Sequence, residues 1–482
     1  MKKTKIICSV GPSCADYNVF KSMVLGGMNV IRINFSHAAL DEREQYEELV
    51  KRVNEELGTN IAILYDTKGP EFRTGVMAEY GVKLKAGKTI KIVKKPVLGT
   101  EESFTVNYKN VLKKINIGDM VLLEDGLMKL KVTDKEEDDL VCEIIAGGLL
   151  QSKKGINVPG VDLDIKFLSE EDIIDIEYAI KKNGDFLALS FVTSKEDILA
   201  VREILERNNS KMRIISKIES GASLLNIDEI IEHSDGIMIA RGDLGVEIPL
   251  EKIPFIQKAI IKKCRKYGKV CIVATEMMAS MYTSPRPTRA EVNDIANAVM
   301  DGCDAVMLSG ETSVGKFPVE AVNYMTRICE NIESHFDYCD DKRILTSSVT
   351  GAIAHSVIEV SNLLGAKLIV AATMSGYTAE KISNLKPKCP ILATVPSKSI
   401  ATSLALSWGV YPVVTDVFSN TDEIIKNSKE KAREFMKLNK GDRLIITGGL
   451  SVDEEIKETN LMKVDEIWYF HFSFGCIIIN IE

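Results

Sequence analysis

In the heptapeptide "IISKIES" an apolar run ends with Lys217 and Glu219 two residues apart. Side chains at i and i+2 of a strand project from the same face, so the pair is either a salt bridge at a strand end or a cation beside a metal-binding carboxylate. Other apolar runs close on similar residues: Arg32, Asn34 and Ser36, then Asp66 and Thr67, later Asp243, Thr275, Ser309 and Glu311. Two carboxylates, Glu219 and Asp243, suit a hard divalent cation, Mg2+ or Mn2+, whose remaining ligands come from substrate and water. Arg32 adds a planar fork that matches phosphate oxygens, and Lys217 a point charge. A divalent metal with these two cations is what phosphoryl transfer requires, because its transition state demands positioning and charge neutralisation. The oxygens of Asn34, Ser36, Asp66 and Thr67 suit a second, monovalent cation. "ARGDLG" adds a Gly-rich turn whose backbone N–H groups can face an anion. Neither a Walker A pattern nor a protein-kinase loop set occurs.

These residues need a frame that brings strand ends together. Short β-rich runs alternate with amphipathic helical stretches: "KTKIICSVG", "MNVIRINFS" and "NIAILYDTKG", then "GDFLALSFV", "MRIISKIES", "DGIMIARGDLG", "KVCIVATEM" and "CDAVMLSGET". About eight β/α units across residues 1–340 predict a closed (β/α)8 barrel, with chemistry at the C-terminal strand ends. Between Pro70 and Lys166 the rhythm changes to short alternating strands with Gly turns, an all-β insertion after the third unit. "GAKLIVAAT", "CPILATVP", "GVYPVVT" and "GDRLIITGG" predict an open α/β domain at the C-terminal end. The expected division is 1–69 with 167–340 as barrel, 70–166 as inserted β-barrel lid and 341–482 as C-terminal domain.

The 482 residues are 45% hydrophobic and 27% charged, with net charge −8 spread along the chain, which gives no nucleic-acid footprint. No apolar run reaches the ~18 residues of a membrane helix, and "MKKTKIICSV" lacks the apolar core of a signal peptide. Ten scattered cysteines without C-x-x-C pairs fit reduced thiols in a cytoplasmic protein, and five histidines make a zinc cluster an unattractive reading.

"TKIICSVGPSC", "GGMNVIRINFSHA", "DTKGPEFRTG", "KKGINVPG", "SKIES", "IARGDLGVEIP", "PTRAEVNDIANAVMDG" and "MLSGETSVGKFP", collinear along the chain, together resemble the pyruvate kinase family. The resemblance implies phosphoryl transfer from phosphoenolpyruvate to ADP, giving pyruvate and ATP, with Mg2+ and K+ as cofactors, in a homotetramer. It implies Arg32 on the substrate phosphate, Glu219 and Asp243 on Mg2+, and Asn34, Ser36, Asp66 and Thr67 on K+. It further implies Lys217 as the transition-state cation, Ala240, Arg241 and Gly242 offering backbone N–H groups to the substrate carboxylate, and Thr275 lining the pocket and belonging to the proton route onto the methylene carbon. Ser309 and Glu311 are weaker candidates for the proton route, while Arg73 and Lys154 resemble the nucleotide contacts at the two lid hinges. Glu71 resembles the residue of potassium-dependent members, where potassium-independent ones carry lysine.

In the C-terminal domain, Thr373, Ser375, Gly376 and Thr378 of "ATMSGYTAEKISNLKP" are the expected effector-phosphate loop. Asp453, Glu454 and Glu455 in "GGLSVDEEIKETN" would repel a second phosphate. The expected effector is therefore a sugar monophosphate or AMP, or none, rather than fructose 1,6-bisphosphate. The aromatic end "EIWYFHFSFGCIIINIE" is assigned no role, and no further phosphohistidine-like domain is expected. Competing readings are a metal-dependent aldolase, a Schiff-base lysine at 217 and a catalytically silent sensor; the first lacks a use for a lid and a potassium site.

Overall fold

The computed structural model describes residues 1–161, 163–335, 348–418, 420–449 and 459–467. Contacts divide the chain into two units: Met1–Asp337 with Ala405–Trp408, and Tyr338–Leu404 with Gly409–Glu482.

In the first unit eight strands close a parallel barrel: β1 (Lys5–Ser9), β2 (Val30–Asn34), β3 (Ala62–Asp66), β4 (Phe186–Leu189), β5 (Arg213–Ile218), β6 (Gly236–Ala240), β7 (Val270–Ala274) and β8 (Ala305–Leu308). Each pairs with the next, and β8 closes on β1 with Lys5 opposite Ala305. The expected eight-unit barrel is thus the observed one, with the insertion between β3 and β4.

Alternate residues share a face. Ile7, Val30, Ala62, Leu64, Phe186, Ala188, Ile215, Met238, Ile272 and Ala274 belong to one buried cluster, which is the barrel interior. Continuing by two residues toward the C-terminal ends leads from Ile7 to Ser9, Val30 to Arg32, Leu64 to Asp66, Ala188 to Ser190 and Ile215 to Lys217. The outward residues, among them Ile6, Cys8, Ile31, Ile214 and Ile237, pack with the surrounding helices in a second cluster. The interior face therefore changes from apolar to ionic at one end of the barrel.

The insertion has its own core, with Ile90, Phe104, Leu112, Leu123, Leu130 and Cys142 fully or nearly buried. Its sheet is six-stranded and curled, and Val82–Leu84 pairs separately with Gly148–Leu150, so the hydrogen-bonded ladder does not close into the expected barrel among the described residues. At Gly147, just before the second of these short strands, a Cβ would meet the Leu84 carbonyl oxygen at 2.2 Å. Only glycine permits this backbone approach, by which the strand leaves the main sheet for its second partner.

The second unit is an open α/β sheet. Its strands β9 (Leu368–Ala372), β10 (Ile391–Val395), β11 (Val410–Val414) and β12 (Arg443–Gly448) are parallel, in the order β11-β10-β9-β12. An antiparallel edge strand, β13 (Leu461–Glu466), pairs with β12 and adds to the four expected strands. The acidic residues Asp453, Glu454 and Glu455, and the aromatic end beyond Ile467, lie outside the described residues.

Candidate active site

Lys217 lies near the C-terminal end of β5 and is 8% exposed. Its Nζ is 3.1 Å from Asp66 Oδ1, 3.0 Å from Glu219 Oε1 and 2.8 Å from Ser190 Oγ. Burial would lower the lysine pKa, but the Asp66 and Glu219 carboxylates outweigh it and hold the pKa above the ordinary value. A permanently charged ammonium suits electrostatic stabilisation and opposes the Schiff-base reading, which needs a free amine.

Asp66, wholly buried, is bound by Arg32 Nε as well as Lys217. Burial alone would raise its pKa; these two cations reverse the effect and hold it below the usual carboxylate range. Arg32 also donates to Ser9 Oγ at 2.9 Å. Because β2 and β3 pair with Asn34 opposite Asp66, the oxygens proposed for a monovalent cation come from adjacent strand ends. Asn34 Oδ1 accepts from the Ser36 N–H at 3.0 Å, and the Thr67 carbonyl accepts from Ser190 Oγ at 2.6 Å. Four oxygen-bearing residues and no nitrogen or sulfur ligand fit a hard monovalent ion.

Glu219 and Asp243 behave differently from Asp66. Burial pushes both pKa values up, Lys217 opposes the rise in each, and Asp243 adds to it at Glu219. The lid residue Asp125 adds further negative potential at Asp243. The buried Glu219 and half-buried Asp243 carboxylates, facing excess negative charge, are a donor set that a divalent cation would neutralise. Among the described residues no group of three His, Cys, Asp or Glu side chains is arranged to hold a metal alone. The set thus fits Mg2+ or Mn2+, which keep water and substrate oxygens as ligands.

Asp243 stands in the short helix Arg241–Glu247 directly after β6. The Gly242 N–H donates to Thr275 Oγ1 at 2.7 Å, and that hydroxyl donates to the Ala274 carbonyl at 2.6 Å. Arg241 donates to the Thr275 carbonyl and to Asp294, so its side chain ties this helix to the loop after β7. Thr275 and Glu276 have φ of +67° and +53°. Positive φ in a β-branched residue is a strained conformation, found where the surrounding structure imposes it.

The lid brings its two hinge chains together: Arg73 is bridged to Gly155, and the Thr74 N–H donates to the Lys154 carbonyl at 2.9 Å. Arg73 forms two 2.7 Å bonds with Glu71, and Lys154 lies 2.6 Å from Glu124. Asn157 Nδ2 donates to Glu247 Oε1 at 2.9 Å, joining lid to barrel.

Two expected groups are otherwise engaged. Glu311 accepts from the Met278 N–H at 3.0 Å and the Ser309 N–H at 2.7 Å, so both its oxygens join backbone loops; Ser309 Oγ is buried without a hydrogen-bond partner among the described residues. In the second unit Gly376, at φ +87°, precedes the helix Tyr377–Asn384 and donates to Thr373 Oγ1. Thr378 Oγ1 is buried and lies 2.7 Å from Thr459 Oγ1. Ser375 follows Thr373 in the turn before that helix.

Sequence reasoning missed Ser190, Phe191, Asp125 and the Asn157–Glu247 contact. Only Ser190 carried a usable signal, as the next interior position after Phe186 and Ala188.

A parallel barrel with two cations and three acids at its C-terminal mouth, beside a hinged β-lid, defines a phosphotransferase of the barrel class. Residues 1–322 match the family model "Pyruvate kinase, barrel domain", and residues 351–465 match "Pyruvate kinase, alpha/beta domain". A pyruvate kinase of Staphylococcus epidermidis is 42% identical over 470 residues, covering 96% of this chain and 80% of that protein. One of Staphylococcus haemolyticus is 43% identical over 471 residues with the same coverage. A crystal structure of a pyruvate kinase from Cryptosporidium parvum matches with a TM-score of 0.90 at 37% identity over 96% of each chain. The chain belongs to the pyruvate kinase family.

Proposed function

We propose that this chain transfers the phosphoryl group of phosphoenolpyruvate to ADP by charge neutralisation at the barrel mouth. The observation that carries the assignment is the Lys217 ammonium, held charged between Asp66, Glu219 and Ser190 beside Asp243. Arg32, fixed by Asp66 and Ser9, binds the substrate phosphate as a planar fork. Lys217 stabilises the charge that develops on the transferring group and on the enolate left behind. Ala240, Arg241 and Gly242 offer backbone N–H groups to the substrate carboxylate, the Gly242 N–H exchanging Thr275 Oγ1 for it as substrate enters. Arg73 and Lys154 hold the nucleotide phosphates, exchanging Glu71 and Glu124 for them as the nucleotide enters.

Glu219 and Asp243 hold Mg2+ or Mn2+, and Asn34, Ser36, Asp66 and Thr67 hold K+. The divalent ion supplies Lewis-acid neutralisation of phosphoryl and enolate oxygens. Burial of Glu311 against backbone donors leaves Thr275 as the better-placed member of the suggested proton route. The eight described cysteines are all buried thiols, in keeping with a reduced, cytoplasmic setting. No described helix is long and apolar enough to cross a membrane. We assign a homotetramer by family and a monophosphate effector, a sugar monophosphate or AMP, to the Thr373–Thr378 region; saturation by micromolar fructose 1,6-bisphosphate would contradict the latter.

The test is ATP formation from phosphoenolpyruvate and ADP with Mg2+, in K+ and in Na+ or choline. Turnover that requires K+ supports the reaction and the monovalent site together. Full turnover in choline removes the monovalent site and the reading of Glu71, and no turnover from folded protein removes the reaction.

A further inference from the structure

Ser190 follows β4 directly and is 3% exposed. Its backbone N–H donates to Thr67 Oγ1 at 3.2 Å, and its hydroxyl lies 2.6 Å from the Thr67 carbonyl, 3.3 Å from Asp66 Oδ1 and 2.8 Å from Lys217 Nζ. A serine hydroxyl has one proton and two lone pairs. The Thr67 carbonyl, being the nearer acceptor, takes the proton, which turns the lone pairs toward the ammonium. Two bonds to the loop after β3 thereby fix where that oxygen stands.

Lysine has three N–H donors, and at Lys217 they meet Asp66, Glu219 and Ser190. Two of these acceptors are anionic, and Ser190 is the neutral third. Without the hydroxyl the ammonium has only the two carboxylates to satisfy it and settles between them, away from the position where a phosphoryl group arrives. The next residue strengthens the arrangement: Phe191, at φ +57°, donates its N–H to Glu219 Oε2 at 2.7 Å. A bulky residue with positive φ is strained, and here the strain aims that N–H at the acid beside Lys217. On the far side, a Cβ at Gly69 would come within 2.9 Å of the Ser190 Cβ, so the turn opening the lid hinge packs directly on this serine.

We infer that Ser190 is a positioning residue: its hydroxyl, anchored to the Thr67 carbonyl, sets the place of the Lys217 ammonium for the chemical step. The inference rests on the role of Lys217 stated above. It predicts that Ser190→Ala lowers kcat by about 10- to 100-fold, the scale of a small misplacement of a catalytic group. The KM for phosphoenolpyruvate should change less than about threefold, since interactions realised only in the transition state act on kcat.

The experiment is a mutant cycle of wild type, Ser190→Ala, Lys217→Met and the double variant, each with its melting temperature measured. Wild-type turnover and its loss in Lys217→Met test the role of the lysine separately. If Ser190 acts through Lys217, removing it in the Lys217→Met background costs less than about twofold more. An equal loss in both backgrounds, a kcat within twofold of wild type in the single variant, or a loss confined to KM would overturn the inference.

Discussion

Replacing Lys217 with methionine keeps an unbranched side chain one atom shorter and removes its charge. The ammonium stands 3.0 and 3.1 Å from two carboxylates in a buried setting. At an effective dielectric near 20, unit charges about 4 Å apart interact by about 4 kcal/mol. If the transferring phosphoryl group meets Lys217 on that scale, kcat falls by about three powers of ten. The metal site should respond oppositely. Asp66 keeps Arg32, but Glu219 loses its cation and retains the Phe191 N–H. A divalent ion at Glu219 and Asp243 no longer faces a neighbouring positive charge, so Mn2+ affinity, read by calorimetry without substrate, should rise by at least about tenfold. Steady-state ATP formation gives the other half of the signature. A variant that had merely lost its fold would lose both. A kcat reduced less than tenfold, or Mn2+ affinity unchanged or weakened, would refute the electrostatic role of Lys217.

Asn157→Ala removes the lid-to-barrel bond to Glu247; it should raise the KM for ADP by about tenfold, consistent with ~1.5 kcal/mol for a hydrogen bond to a charged group, as initial rates at varied ADP will show. Arg43→Met breaks the buried pair with Asp175 (2.8 Å), the bond to the Ala38 carbonyl and the stacking on Phe35. It should cost about 3 kcal/mol in urea unfolding and raise the K+ concentration needed for half-activation, because Phe35 lies between Asn34 and Ser36. Burial pushes the thiols of Cys14 up to about 11 and of Cys142 and Cys329 up to about 12. Iodoacetamide at pH 8 should therefore leave the peptides carrying Cys14, Cys142 and Cys329 unlabelled in native protein and label them after unfolding, as mass spectrometry will read.

Much of the site was legible because a barrel strand obeys a period of two. Val30 to Arg32, Leu64 to Asp66 and Ile215 to Lys217 each step from interior to mouth, so residue type at a strand end revealed the ionic set. The same period pointed to Ser190, but a lone serine inside "LALSFV" has the appearance of a core hydroxyl satisfied by its neighbours, and its role depends on Thr67, 123 residues away. At Glu311 the sequence showed a carboxylate after a strand but not the two backbone N–H groups that engage it. The positive φ values of Phe191 and Thr275 had no signal in residue type, since both are side chains that ordinarily avoid that region. Lid contacts such as Asn157 to Glu247 join residues 90 apart and come from packing that local pattern does not encode. The close backbone approach at Gly147, likewise, depends on a strand distant in sequence.

The most direct measurement is a crystal structure with Mn2+ and oxalate, a planar dianion that mimics enolpyruvate, using the anomalous signal to locate the metal. The account predicts Mn2+ bound by one carboxylate oxygen of Glu219 and one of Asp243 and by oxalate, with Lys217 Nζ within hydrogen-bond reach of the dianion. A metal bound elsewhere, or oxalate held away from Lys217, would contradict it.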